Sequence, residues 1–161
     1  MINRNRNLKP RLYFAAPLFS HAEKEFNTKL ADELRKIFDV FLPQQDGGLV
    51  SEMVKRGVQP ANAFASMFNL DVIELKKCDV LLIILDGRTI DEGAAFELGY
   101  ASALGKVCVG LQTDPRRLIA SRNNPMIDCA LHHIFDDTPS LLNWANAFSP
   151  AAVRIRSIQG A

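Results

Sequence analysis

The side chains of this chain that stand out for chemistry are carboxylates at the ends of the predicted strands, Glu97 foremost, with the phenol of Tyr13 and amide side chains nearby. Carboxylates that show no metal spacing suit glycosyl chemistry, in which one acts as nucleophile and another handles protons. Glu97 stands out first. Its neighbours are Ala94, Ala95, Phe96, Leu98, Gly99, Tyr100 and Ala101, so the helix it sits on is apolar nearly all round and is expected to be buried. A carboxylate in such surroundings needs a partner or a task, because burying an unpaired charge is costly. Glu97 also follows closely on the apolar run Val80–Leu85, at the strand edge where open α/β sheets bind ligands. Asp71 lies inside another apolar helical stretch and reads equally well as a solvent-facing residue. Glu92, three residues after Thr89, has the spacing of a capping box.

Other chemistries lack their residues. No GxGxxG follows the first strand, no GxxxxGK[ST] is present and no GxSxG elbow occurs, which sets aside dinucleotide binding, Walker-type phosphoryl transfer and a serine hydrolase. The histidines are His21 and the adjacent pair His132-His133. Neighbouring side chains on a strand point to opposite faces, so that pair cannot chelate one ion. The expectation is chemistry with no metal and no cofactor.

The elements that must position these groups follow from the hydrophobic pattern. Arg11–Ala16 reads as a first strand, and Ser20 with Glu23 as a capping box opening an amphipathic helix through Phe26, Leu30, Leu34 and Phe38. Val40–Leu42 is a short second strand. Pro43, Gly47, Gly48, Gly57 and Pro60 mark a long functional loop or lid. A helix over 61–77, the buried strand Val80–Leu85, the helix from Asp91 to Leu104 and the strand Val107–Leu111 follow. His133–Phe135 is a last strand, and Thr138 or Ser140 caps a final helix. Strands alternating with helices predict an α/β fold: a flavodoxin-like, doubly wound five-stranded parallel sheet with helices on both faces. The chain divides into a lead-in over 1–10, one domain over 11–148 and a tail over 149–161.

With 161 residues, 48% hydrophobic and 23% charged, and a net charge of +1, the chain has no electrostatic case for a nucleic-acid polymer or an anionic membrane. No run approaches the length of a membrane span. Cys78, Cys108 and Cys129 form no CxxC, which predicts free thiols, a reducing compartment and a cytoplasmic location.

The stretch Asp91-Glu92-Gly93-Ala94-Ala95-Phe96-Glu97-Leu98-Gly99 resembles the nucleoside 2-deoxyribosyltransferases, and the likeness runs from Leu12 to about Phe148. In that family a D-x-G-x-A-F-E-[IL]-G segment carries the nucleophile at its Glu, here Glu97. The resemblance implies that Asp91 contacts the sugar and assists proton transfer, that Tyr13 of Tyr13-Phe14-Ala15-Ala16 orients the nucleophile, and that Asp71 completes the carboxylate set. It places Gly93, Asn124 and Met126 at the substrate, and through the loop after the second strand Gln45 and Asp46. The Asn of the Asn124-Pro125-Met126 triplet can reach a neighbouring subunit's site in the family, which implies a homo-oligomer, a dimer or dimer-based hexamer, with shared sites.

The implied activity is a salvage reaction that moves 2-deoxyribose between bases, with 2′-deoxynucleosides and free nucleobases as partners and a covalent deoxyribosyl–Glu97 intermediate. Glu97 is then expected to be ionised at neutral pH, favoured by Tyr13 and the helix N-terminus. Asp71 and Asp91 oppose this, so one of the three should hold a proton. One alternative is an N-glycoside hydrolase of deoxynucleosides or deoxynucleotides, with water replacing the second base. Relatives acting on 5′-phosphates carry a Gly-Ser-x-Arg-Gly turn after the first strand, whereas here the turn is Ala15-Ala16-Pro17-Leu18-Phe19-Ser20. A second alternative is a non-catalytic nucleotide-binding module.

Overall fold

A computed structural model describes residues 9–48, 50–114, 116 and 123–149. Residues 1–8 of the lead-in and 150–161 of the tail therefore lie outside the described residues. Five strands, β1 (Arg11–Ala15), β2 (Asp39–Phe41), β3 (Val80–Ile84), β4 (Val107–Leu111) and β5 (His133–Phe135), form one sheet in the order β2-β1-β3-β4-β5. Every pairing is parallel, with Tyr13 opposite Leu81 and Leu81 opposite Cys108. The direction of strand addition reverses between β1 and β3, which is where a doubly wound sheet opens a crevice.

The helices are α1 (His21–Leu34), α2 (Pro43–Asp46), α3 (Val50–Lys55), α4 (Pro60–Lys77), α5 (Glu92–Ala103), α6 (Pro125–Asp128) and α7 (Thr138–Ala147). Side chains alternate across a strand, so β1 sends Leu12 and Phe14 to one face and Tyr13 and Ala15 to the other. Leu12 and Phe14 join Leu82, Ile84, Leu34 and Leu141 in a core under α1 and α7. Tyr13 and Ala15 join Leu81, Ile83, Leu75 and Leu98 in a second core under α4 and α5.

The Ser20–Glu23 capping box is present: Ser20 Oγ accepts from Glu23 N at 3.2 Å and Glu23 Oε2 accepts from Ser20 N at 2.7 Å. The other two predicted caps differ. Asp91, not Thr89 with Glu92, caps α5, its Oδ2 accepting from Ala94 N at 2.9 Å. Asp137, not Thr138 or Ser140, caps α7 by accepting from Ser140 N at 2.7 Å. In both cases an aspartate next to the helix outcompetes a hydroxyl, because its short charged acceptor reaches the free N–H groups directly. The segment read as a long loop between β2 and α4 contains α2 and α3. Pro43 stands at the first position of α2, where a missing N–H costs nothing.

Helix α5 is also less buried than its composition predicts. It covers Ala94, Leu98 and Ala101, but Phe96 is 54% exposed. The sheet takes one stripe of the helix, and a second apolar stripe faces outward.

Candidate active site

Tyr13 is fully buried in the middle of β1 and faces α5. Its hydroxyl donates to Glu97 Oε1 at 2.6 Å. Glu97 stands in the second turn of α5, so its side chain reaches back over the sheet toward the crevice beside β1. Glu97 Oε2 makes no hydrogen bond among the described residues. Asp71, on α4, lines the same cavity, which holds about 430 Å³ and is otherwise walled by Gly93, Phe64, Phe68 and Phe96 with Met67 and Val72. Asp71 Oδ1 is buried with no hydrogen-bond partner among the described residues.

Burial controls the electrostatics of this group. Desolvation pushes the Glu97 carboxyl up to about 8, helped by the charges of Asp71 and Asp91 and opposed by the Tyr13 hydrogen bond. Burial also raises Asp71, with the Tyr13 hydroxyl working against it. Tyr13 has a single proton, and the short bond to Glu97 takes it. Burial and the two carboxylates raise Tyr13 itself, so it stays a donor. Burial thus works against the ionised Glu97 expected at neutral pH, because desolvation is larger than the effect of the phenol. Glu97 lies past the first turn of α5, beyond the range in which helix N–H groups act strongly. The proton expected within the carboxylate set is favoured on Glu97, with Asp71 shifted in the same direction.

Glycine at 93 has a local reason. A Cβ there would stand 3.1 Å from Asp91 Oδ2, crowding the cap that starts α5 at the cavity wall. Asp91 is partly buried at that corner, and its cap bond accounts for one of its oxygens.

Four of the predicted site residues are not brought to Glu97 within one chain. Asn124 and Met126 line a separate cavity of about 370 Å³ with Arg88, Ile90, Ala95 and Gln112. Asn124 Oδ1 caps α6 by accepting from Met126 N at 2.9 Å, and Met126 is 80% exposed. Gln45 and Asp46 turn toward α1. Gln45 Oε1 accepts from Arg35 Nη2 at 2.8 Å, and its Nε2 donates to Thr28 at 3.2 Å. Asp46 Oδ2 accepts from Leu42 N at 2.8 Å and lies 3.8 Å from Arg35. The cause is α2, which winds the start of the expected loop into a turn held against α1.

Sequence reasoning missed the aromatic wall, since Phe64 and Phe68 show in the sequence only as apolar positions of the 61–77 helix. Their spacing carried the signal: positions 64, 68 and 71 fall on one stripe of a helix, so an Asp placed on the cavity brings both rings with it.

A family model described as nucleoside 2-deoxyribosyltransferase matches residues 12–143. A conserved protein from Enterococcus faecalis V583 is similar in structure, with TM-score 0.70 and 28% identity over 86% of this chain and 98% of that one. The 2-deoxyribosyltransferase of the psychrotolerant bacterium Bacillus psychrosaccharolyticus has TM-score 0.70 and 24% identity, covering 89% of this chain and 95% of that one. The CMP N-glycosidase of Clostridium botulinum has TM-score 0.54 and 20% identity, covering 84% and 98%. The last two likenesses are likenesses of fold. No curated protein matches.

Proposed function

The chain belongs to the nucleoside 2-deoxyribosyltransferase family, and from that premise we propose that it moves the 2-deoxyribosyl group of a 2′-deoxynucleoside to another purine or pyrimidine base, a salvage reaction. The observation that carries this reading is the 2.6 Å hydrogen bond from the buried Tyr13 hydroxyl to Glu97, inside a cavity whose other carboxylate is Asp71. A purely structural glutamate gains nothing from such burial.

In the first step Glu97 attacks C1′, a C1′–O ester bond forms, and the C1′–N bond breaks. Its electron pair leaves with the base, which takes a proton from the Asp91 side, directly or through water. A second base enters, gives a proton to the same group and attacks C1′ from the opposite side, releasing the Glu97 carboxylate. Two inversions give net retention, and two low barriers replace one high one. Tyr13 holds the nucleophile in place and favours its ionised form. Asp71 offers an unfilled acceptor to the sugar. Gly93 keeps the wall open beside Asp91. The protein is a cytoplasmic homo-oligomer in which Asn124 and Met126 of one chain serve the site of another, a reading supported by their lining a cavity other than that of Glu97 in their own chain. Residues 11–148 form the single catalytic domain.

Product analysis tests this directly. With thymidine or deoxyinosine as donor and adenine or cytosine as acceptor, the new deoxynucleoside should form, and donor loss should be slow without acceptor. Equal donor loss with and without acceptor, yielding free deoxyribose, makes the protein a hydrolase instead. Asp91→Ala should slow exchange most for the poorest leaving bases. A uniform loss across bases removes the proton-transfer role.

A further inference from the structure

We infer that Asn27 is a positioning residue for the proposed transfer: by bridging the loops that leave β1 and β2 it holds the Phe41 ring against Tyr13, and so keeps the phenol aimed at Glu97. This rests on the Glu97 reading above and adds to it a residue from the opposite face of the sheet.

The two strands that carry these rings part beside the site. The last rung of the β1–β2 ladder pairs Tyr13 with Phe41, and their ring centroids lie 5.4 Å apart. Beyond that rung β1 runs on through Ala15 toward Pro17, while β2 leads into α2 at Pro43. Neither proline has an N–H to offer across the gap. Asn27 closes the fork instead. Its Nδ2 donates to the Pro17 carbonyl at 2.9 Å and to Gln44 Oε1 at 2.9 Å. The Gln44 amide is held in turn, its Nε2 donating to the Lys24 carbonyl at 2.9 Å and to Thr28 Oγ1 at 3.0 Å. The two carboxamides thus tie both loops to α1 and to each other.

The residue type is an independent observation. The buried stripe of α1 consists of Asn27, Leu30, Ala31 and Leu34, the spacing of a helix face turned to a core. Asn27 alone of these is polar, and it is 1% exposed. A leucine there would extend the core and suit the helix better, since asparagine competes for backbone bonds in a helix and brings little apolar area. Packing and helix propensity therefore both disfavour asparagine at this position. Its presence answers to the two groups it joins.

What it joins reaches the chemistry through short links. Phe41 is followed at once by Leu42, buried in the core under α1, and by the start of α2 that carries Gln44. A shift of α2 is therefore passed to Phe41. The Phe41 ring packs on the other face of the sheet, with Tyr13. Once Phe41 is displaced, the Tyr13 ring can swing, and the 2.6 Å bond to Glu97 lengthens.

The test compares Asn27→Leu, Gln44→Leu and the double variant with the parent protein. It combines base-exchange kinetics with a carbon-13 NMR titration of the Glu97 carboxyl, made without substrate. Each single variant should lower kcat about tenfold while the donor KM changes by less than about twofold. The Glu97 midpoint, about 8 in the parent protein, should move up in each, toward that of Tyr13→Phe. The double variant should be no worse than either single one, because the same bridge is cut twice. Variants that melt earlier but keep kcat and the Glu97 midpoint make Asn27 a purely structural residue and overturn the proposal. Additive losses in the double variant, or a loss confined to KM, overturn it as well. Should Asn27→Leu fail to fold, Gln44→Leu, at a half-buried position, gives the same readings. A parent protein that exchanges no base removes the transfer, yet the NMR midpoints still decide whether Asn27 acts on Tyr13 and Glu97.

Discussion

The two faces of the sheet are built from the same strands yet do opposite work. On the α1 and α7 side, Phe14, Leu12 and Leu82 meet Leu34, Phe38 and Leu141, with Trp144 and Phe148 closing the rim, and no carboxylate among the described residues is buried there. On the α4 and α5 side, Tyr13 and Leu81 meet Leu98 and Ala94. There the packing stops short and leaves a cavity that half-buries Glu97 and Asp71. Adjacent residues of β1 belong to different regimes: Phe14 is there for packing, Tyr13 for a hydrogen bond. The difference teaches that stability and chemistry are separable in this molecule by a single step along one strand.

The sharpest break between the faces should come from Glu97→Ala. Base exchange should fall about 10,000-fold or more, the scale seen when a nucleophile is removed, while the melting curve holds or rises because an uncomfortable carboxyl is gone. Chromatography of products together with a thermal melt checks both halves. Next, the β1 pair should split cleanly. Phe14→Ala should cost about 3–5 kcal/mol in stability by leaving a cavity in a full core. Tyr13→Phe should cost only about 1 kcal/mol, the net worth of one hydrogen bond, and act mainly on catalysis. Denaturant titration and kinetics on the two variants sharpen or erase the contrast.

Acidity supplies a subtler difference. Glu97 rises from 4.5 to about 8 on folding, so the folded state holds its proton more tightly than the unfolded chain. That contribution is complete below about pH 4.5 and is lost as pH climbs through 8. Glu97→Gln should therefore match the parent protein near pH 4.5 and exceed it above pH 8, by up to roughly 5 kcal/mol given about 1.4 kcal/mol per pKa unit. In kinetics, the acid limb of kcat/KM should lie near pH 8 for the free enzyme. Tyr13→Phe should move that limb to higher pH by removing the bond that favours the charge. Asp71→Asn should move it lower by removing a like charge. Shifts in the same direction for both would contradict the assigned causes.

Much of this was legible in the residues because it depends on periodicity. Uninterrupted Val80–Leu85 could only be a central strand, and Glu97 in an apolar helix marked its own burial. Tyr13 was reachable through the resemblance, and its partner became definite only when β1 and α5 were packed together. The upward pull of burial on the Glu97 carboxyl was not legible because desolvation depends on the depth of the surrounding layer, which no local pattern reports. Asp91 displaced Thr89 as the cap through a competition between adjacent side chains that spacing does not rank. The outward aromatic stripe of Phe64, Phe68 and Phe96 was not legible because composition does not distinguish a stripe that meets the sheet from one that faces outward. Gln45 and Asp46 were turned to α1 by a helix hidden among loop-forming residues.

The central claim is that the Glu97 carboxylate bonds to the anomeric carbon. Incubation with a slow 2′-fluorinated deoxynucleoside, followed by mass spectrometry of the peptides, tests it most directly. The account predicts one fluorodeoxyribosyl group on the peptide containing Glu97 and none in Glu97→Ala. Release of base with an unmodified Glu97 peptide, or a label on another side chain, would contradict it.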